Sequence, residues 1–145
     1  MPLSVGVGAV SNLTINGARV GLTFTEPVTL PWLRASNAVV TETGGLTASD
    51  LAAVGGSWSQ NGSLSFGTMR VQSGNWSQSG TFTGTELQLL GTAILSHGRG
   101  YTNGLQITVD SVNVAANAAI DMSGCGGLAS PLATGGSGGS YGGRG

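Results

Sequence analysis

Apolar positions along the chain recur at a fixed step. Advancing by 18 residues from Leu22 meets Val40, Trp58, Trp76, Ile94 and Val112, all apolar. The same step from Ile15 meets Leu33, Leu51, Met69, Leu87 and Leu105. From Ala35 it meets Ala53, Val71, Leu89 and Ile107, and from Val10 it meets Val28, Leu46, Leu64 and Phe82, breaks at Gly100 and resumes at Ala118. Glycine keeps a column of its own at Gly44, Gly62, Gly80 and Gly98. The echo of Trp58-Ser59-Gln60 in Trp76-Ser77-Gln78 is the most visible part of this pitch. Like residues at every multiple of one period are the mark of a repeat architecture.

Inside one period the apolar residues come in pairs two apart: Leu33/Ala35, Ala38/Val40 and Leu46/Ala48. A spacing of two is the strand period, which sends alternate side chains to one face. Glycine and polar residues fall between the pairs, as corners require. Each period therefore predicts three short strands separated by corners, with Trp58 and Trp76 in the interior. No apolar stripe of helical period persists, and glycine is too frequent for helices. A β-sandwich accounts for short strands but not for a constant pitch. The expected fold is all-β: a parallel β-solenoid of about six 18-residue turns, roughly 30 Å long at one strand spacing per turn. The pairs begin at unequal intervals of five, eight and five residues. A left-handed triangular helix places an aliphatic residue every six positions. Unequal intervals instead favour a right-handed, single-stranded β-helix.

This pattern assigns residues 1–124 to the solenoid, with 1–14 as a partial first turn or cap. Residues 125–145 are Gly/Ser-rich and read as a flexible tail or a truncated insertion loop. An open solenoid end exposes core and strand edges. A continuing polypeptide or a stacked partner is therefore expected at the C-terminal end.

Composition narrows the partners. The chain of 145 residues holds 27 Gly, five Arg, no Lys and six acids, for a net charge of −1. Nothing in it would neutralise a phosphate backbone, which argues against nucleic acid. Charged residues make up only 8%, against a usual quarter. Solubility then rests on Ser, Thr, Asn and Gln, a balance common in extracellular β-proteins. One cysteine, Cys125, permits no intrachain disulfide. The Asn-x-Ser/Thr triplets at Asn12, Asn61 and Asn75 carry little weight in a chain so rich in these residues. No stretch is long and apolar enough to span a bilayer. The opening MPLSVGVGAV is unlike a signal peptide, so export by another element, or membership of a longer chain, is expected.

Candidate chemistry is sparse, and neither a cofactor nor a metal is expected. His97 follows Thr25, Thr43, Asn61 and Ser79 at the 18-residue step, a polar column expected to face solvent. Asp50 and Glu86 share one phase two turns apart, about 10 Å by stacking distance. Carboxylates so separated can serve inverting glycoside hydrolysis, and they are the candidate catalytic pair. Arg34 and Arg70 lie in the interleaving turns, so the same residues read more simply as a surface ladder of alternating sign, Arg34, Asp50, Arg70, Glu86, and that reading is preferred to catalysis. Thr23-Phe24-Thr25 and Thr41-Glu42-Thr43 are one period apart. Threonine arrays on a flat face can bind ice, although the next turns carry Ser59/Asn61 and Ser77/Ser79 instead.

The apolar columns over 15–122 and the closing run VNVAANAAIDMSGCGG resemble the right-handed β-helices of bacterial surface proteins, the filamentous-haemagglutinin-type adhesins and autotransporter passengers. The resemblance implies an extracellular or cell-surface structural or adhesive segment, non-catalytic, with a glycan or a host surface as its partner. It carries over no site residues. A polysaccharide-binding or polysaccharide-cleaving β-helix and an ice-binding solenoid remain as alternatives. Trp58→Asp should place an unpaired carboxylate in the interior, and circular dichroism should show the variant unfolded where the parent is folded.

Overall fold

The computed structural model describes residues 2–4, 12–17, 19–23, 26–98, 104–123 and 125. These residues contain strands and no helix. The strands are β1 (Pro2–Ser4), β2 (Asn12–Asn16), β3 (Arg19–Thr23), β4 (Val28–Ser36), β5 (Val39–Thr43), β6 (Leu46–Val54), β7 (Ser57–Gln60), β8 (Leu64–Gln72), β9 (Asn75–Gln78), β10 (Phe82–Leu90), β11 (Ile94–His97), β12 (Ile107–Val114) and β13 (Ala119–Ile120). Odd-numbered strands form a seven-stranded sheet and even-numbered strands a six-stranded one, each stacked in chain order. Every pairing is parallel. The chain is therefore a parallel β-solenoid in which each coil contributes two strands, one long and one short from β4 onward and of equal length in β2 and β3.

Two strands per coil replace the three expected, and the long strand shows why. Its pairing lapses at a single column, Pro31, Ser49, Gly67 and Thr85. Before that column Val28 and Leu30 point inward; after it Leu33 and Ala35 do. Two successive residues thus face away from the core, which turns the strand through a corner without ending its hydrogen bonding. The predicted short strands are present, fused in pairs.

The 18-residue pitch is strict where the core is deepest. Val28, Leu46, Leu64 and Phe82 pair in register, as do Leu33, Leu51, Met69 and Leu87. All eight are buried. Trp58 lies on Trp76 with ring centroids 4.7 Å apart and planes 9° apart, and both are buried. The four coils from Val28 to His97 keep this step, with one extra residue before β11.

Outside those coils the expected columns give way. Leu33 pairs with Leu13 rather than Ile15, and Val40 with Val20 rather than Leu22. The first step is therefore 20, because residues 24–27 join β3 to β4 where Gly44 and Gly45 suffice between β5 and β6. At the other end Leu87 pairs with Val112 and Leu89 with Val114, a step of 25. Leu105 and Ile107 were expected there. The longer connections at 91–93 and 98–106 account for the shift. In the tryptophan column Trp76 is likewise followed by Leu95, not Ile94, and then by Ile120, not Val112. Six equal turns thus become four, flanked by two of unequal length. Of the expected cap, Pro2–Ser4 pairs with β3. The tail beyond Cys125 lies outside the described residues.

Glycine sets the closest backbone approach. A Cβ on Gly62 would fall 1.2 Å from the carbonyl oxygen of Gly44, and one on Gly80 would fall 2.4 Å from that of Gly62. The corner between short and long strands therefore stacks backbone on backbone. Gly98 leaves this column and meets Ser79 instead. Gly62→Ala should destabilise the fold by at least about 2 kcal/mol through overpacking that no side-chain rotation relieves. Gly45→Ala, whose Cβ would meet Ser63 Oγ at 3.3 Å, should cost markedly less; chemical denaturation of the two variants measures the difference.

Candidate functional site

Two polar arrangements stand out, one outside the solenoid and one inside. The outer one lies on the six-stranded sheet beyond the corner column. Pairing there aligns Trp32, Asp50, Thr68, Glu86 and Ser111 in one row, and Arg34, Ala52, Arg70, Gln88 and Asn113 in the next. Asp50 and Glu86 do share a phase, with Thr68 between them.

Asp50 is held from both sides. Arg34 forks onto it, Nη2 to Oδ2 at 2.9 Å and Nη1 to Oδ1 at 3.2 Å, and Arg70 Nη1 donates to Oδ1 at 3.3 Å. The Arg34 guanidinium lies 5.6 Å from the ring centroid of Trp32, within cation–π range. Glu86 accepts a 2.7 Å hydrogen bond from Gln88 Nε2. The ladder of alternating sign is therefore built as Arg34–Asp50–Arg70, and Glu86 turns to an amide neighbour. The arrangement sets a half-buried indole, guanidinium N–H groups and an amide in adjacent rows of one sheet. Trp32 escaped the sequence reading because it precedes no repeat of itself. Its register opposite Asp50 is the signal that brings it into this row.

The inner arrangement was not expected at all. Glu42, Gln60, Gln78 and His97 align in one column of the seven-stranded sheet, and all four are buried. His97 was placed on a solvent-facing column. The extra residue before β11 moves it by one position, from pairing with Ser79 to pairing with Gln78, and so turns it inward. Its Nδ1 lies 2.8 Å from the carbonyl oxygen of Gly98.

The inward polar column has its own bonding. Trp58 Nε1 donates to Gln60 Oε1 at 2.9 Å, and Trp76 Nε1 donates to Gln78 Oε1 at 3.2 Å. Each tryptophan thus braces the glutamine two residues on. Gln60 Nε2 donates in turn to Glu42 Oε2. Gln78 Nε2 reaches the corner backbone instead, at Gly62 O (3.0 Å) and Thr81 O (3.2 Å). Glu42 Oε1 is buried with no hydrogen-bond partner. Burial pushes the Glu42 carboxyl up to about 7, against the lowering effect of the Gln60 bond.

The threonine row is mixed as well as short. Pairing sets Thr41, Ser59, Ser77 and Ser96 in line, and Thr23 opposite Thr43 rather than Thr25. No three His, Cys, Asp or Glu side chains among the described residues gather closely enough to hold a metal ion. Comparison of the chain with protein-family models, with curated proteins and with solved structures returned no match.

The side chains of Arg34, Asp50 and Arg70 are 37–43% exposed, so solvent screens their attraction. A double-mutant cycle of Arg34→Ala and Asp50→Ala should return a coupling of about 1 kcal/mol or less, shrinking further at high salt.

Proposed function

We propose that the chain is a non-catalytic structural and adhesive segment of a secreted or cell-surface bacterial protein. It is a stiff rod that displays its outer faces and hands its stack on to a further parallel coil. One observation carries this reading. The columns buried along the solenoid come to the surface on its last strands. Leu87, Leu89 and Leu95 are fully buried, whereas Val112, Val114 and Ile120, in register with them one coil further on, are 47%, 42% and 42% exposed. The geometry of the stack supports one kind of occupant. It is a parallel β-coil with apolar residues at alternate positions, of the kind that covers every preceding coil.

A second reading, binding of polysaccharide, is favoured by Trp32 lying in one row with Asp50 and Glu86 beside two guanidinium groups. Aromatic faces and paired hydrogen-bonding side chains suit sugar rings, and the glycan would be held along the stacking direction. Glycan-array binding lost in Trp32→Ala would support this use of the face, and no binding by the parent chain would remove it.

The rod reading is tested by sedimentation of the full chain over rising concentration. A second copy is the coil that experiment supplies. The parent should associate end to end, and the Val112→Asp/Val114→Asp variant should remain single. Thermal unfolding should change little, because both side chains are already nearly half exposed. A parent that stays monomeric throughout, or a variant that associates equally well, would overturn it.

A further inference from the structure

The buried polar column contains one residue of the wrong chemistry for its position. Gln78 shows what the position accommodates. Its amide oxygen accepts from the Trp76 indole, and its amide nitrogen donates to two corner carbonyls, Gly62 O and Thr81 O. Gln60 uses its oxygen in the same way, toward Trp58. At Gln78 the corner thus offers carbonyl oxygens and calls for a donor. An ionised carboxylate has none. Glu42 accordingly satisfies Oε2 through Gln60 and leaves Oε1 buried and without a partner. A carboxylic acid, carrying its proton on Oε1, has a donor of the kind that the Gln78 amide supplies two coils away.

We propose that Glu42 is held as the neutral acid in the folded rod, and that its ionisation is a pH-operated release of the coil contacts made by β5. Among the described residues, none pairs a positive charge with the Glu42 carboxyl. From β7 the facing group is Gln60, and the residue paired from β3 is Leu22. On β5 itself the neighbours are Thr41 and Thr43. Of the charged residues in adjoining segments, Arg19 at the start of β3 and Glu26 before β4 are exposed. Arg34, Asp50 and Arg70 pair with one another on the outside of the other sheet. His97 stands three coils along the same column. The raised affinity of the Glu42 carboxyl for its proton, to about 7 from 4.5, agrees with this geometry.

The direction of the switch follows from linkage. The folded state keeps the proton at pH values where the unfolded chain has lost it, so folding takes up about one proton between pH ~4.5 and ~7. Stability is greatest below that window and falls as pH rises through it. The unfolding equilibrium constant should increase roughly tenfold per pH unit within the window and level off above it. Glu42→Gln supplies the missing donor permanently, in the manner of Gln78. That variant should lose the contribution of this site to the pH slope and be more stable than the parent at pH 8, while matching it near pH 4.

Three measurements on the full chain decide the matter. Denaturation of parent and Glu42→Gln from pH 4 to 9 isolates the site, since His97 and the outer charges are common to both. Side-chain carbon NMR of glutamate-labelled protein follows the three carboxyls, Glu26, Glu42 and Glu86. One signal should titrate near neutrality and be missing from the variant. Amide exchange at pH 8 should be faster in β3 and β5 of the parent than in the variant. Three carboxyls titrating in the ordinary acid range would overturn the proposal. So would parallel stability profiles for the two proteins, or equal exchange in β3 and β5.

Discussion

Parallel stacking in register makes each side chain's nearest neighbour the residue at the same position one coil away, about 4.8 Å along the axis. Every other feature of the molecule answers to that constraint. A column must be compatible with itself. Leucine meets leucine and methionine in the column of Leu33, Leu51, Met69 and Leu87, all fully buried. Flat rings suit the spacing, and Trp58 and Trp76 lie almost parallel at 4.7 Å. Rings that do not stack need a neighbour that yields. A Cβ on Gly84 would sit 2.2 Å from the Phe66 ring, so the glycine opens the space that Phe66 fills, and Phe82 tilts by 60° beside it.

Charge feels the same rule more sharply, because like charges one coil apart repel. On the outside the chain alternates sign, with Asp50 between Arg34 and Arg70 and Ala52 separating the two guanidiniums within their own row. On the inside it uses amides, which donate and accept and can therefore follow one another. Glutamine is held by the indole two residues earlier, so Trp-Ser-Gln is a unit in which one residue fills the core and another satisfies it. A shift of register by one residue would turn both outward together. The polar column thus belongs to what fixes the stacking, and Glu42 is its one carboxylic member.

Much of this was legible in the chain because the repeat is strict where packing is tightest. The Trp58/Trp76 echo, the leucine column and the glycines at 44, 62 and 80 all reappear as stacked rows. What misled was coincidence of phase at the ends. Ile15, Leu22, Leu105 and Ile107 are apolar and fall on multiples of 18, yet the longer connections at 24–27 and 98–106 pair other residues. Apolar identity alone does not distinguish a column from its neighbour two positions away. A single inserted residue before β11 had the larger consequence, since it reversed His97 from outside to inside. The inward glutamines were readable in principle: a residue two positions after a buried tryptophan in a strand points the same way. Composition hid them, because in a chain solvated by Ser, Thr, Asn and Gln a polar side chain reads as surface by default. Bonding of Gln60 to Glu42 across coils is a tertiary fact with no local signature.

The magnitudes also indicate where a rod of this kind can bind. Exposed ion pairs along its flank contribute about 0–1 kcal/mol each, and with charge at 8% there are few of them. Burying a valine or isoleucine side chain completely is worth about 1.5–3 kcal/mol. Val112, Val114 and Ile120 are each rather less than half exposed, so covering all three recovers a few kcal/mol before any strand hydrogen bond is counted. On the proposed reading, the larger free energy for holding a second polypeptide lies with Val112, Val114 and Ile120 rather than with the flank. The proposed extension of the stack, with display along the flank of each added coil, draws on the larger of these two terms.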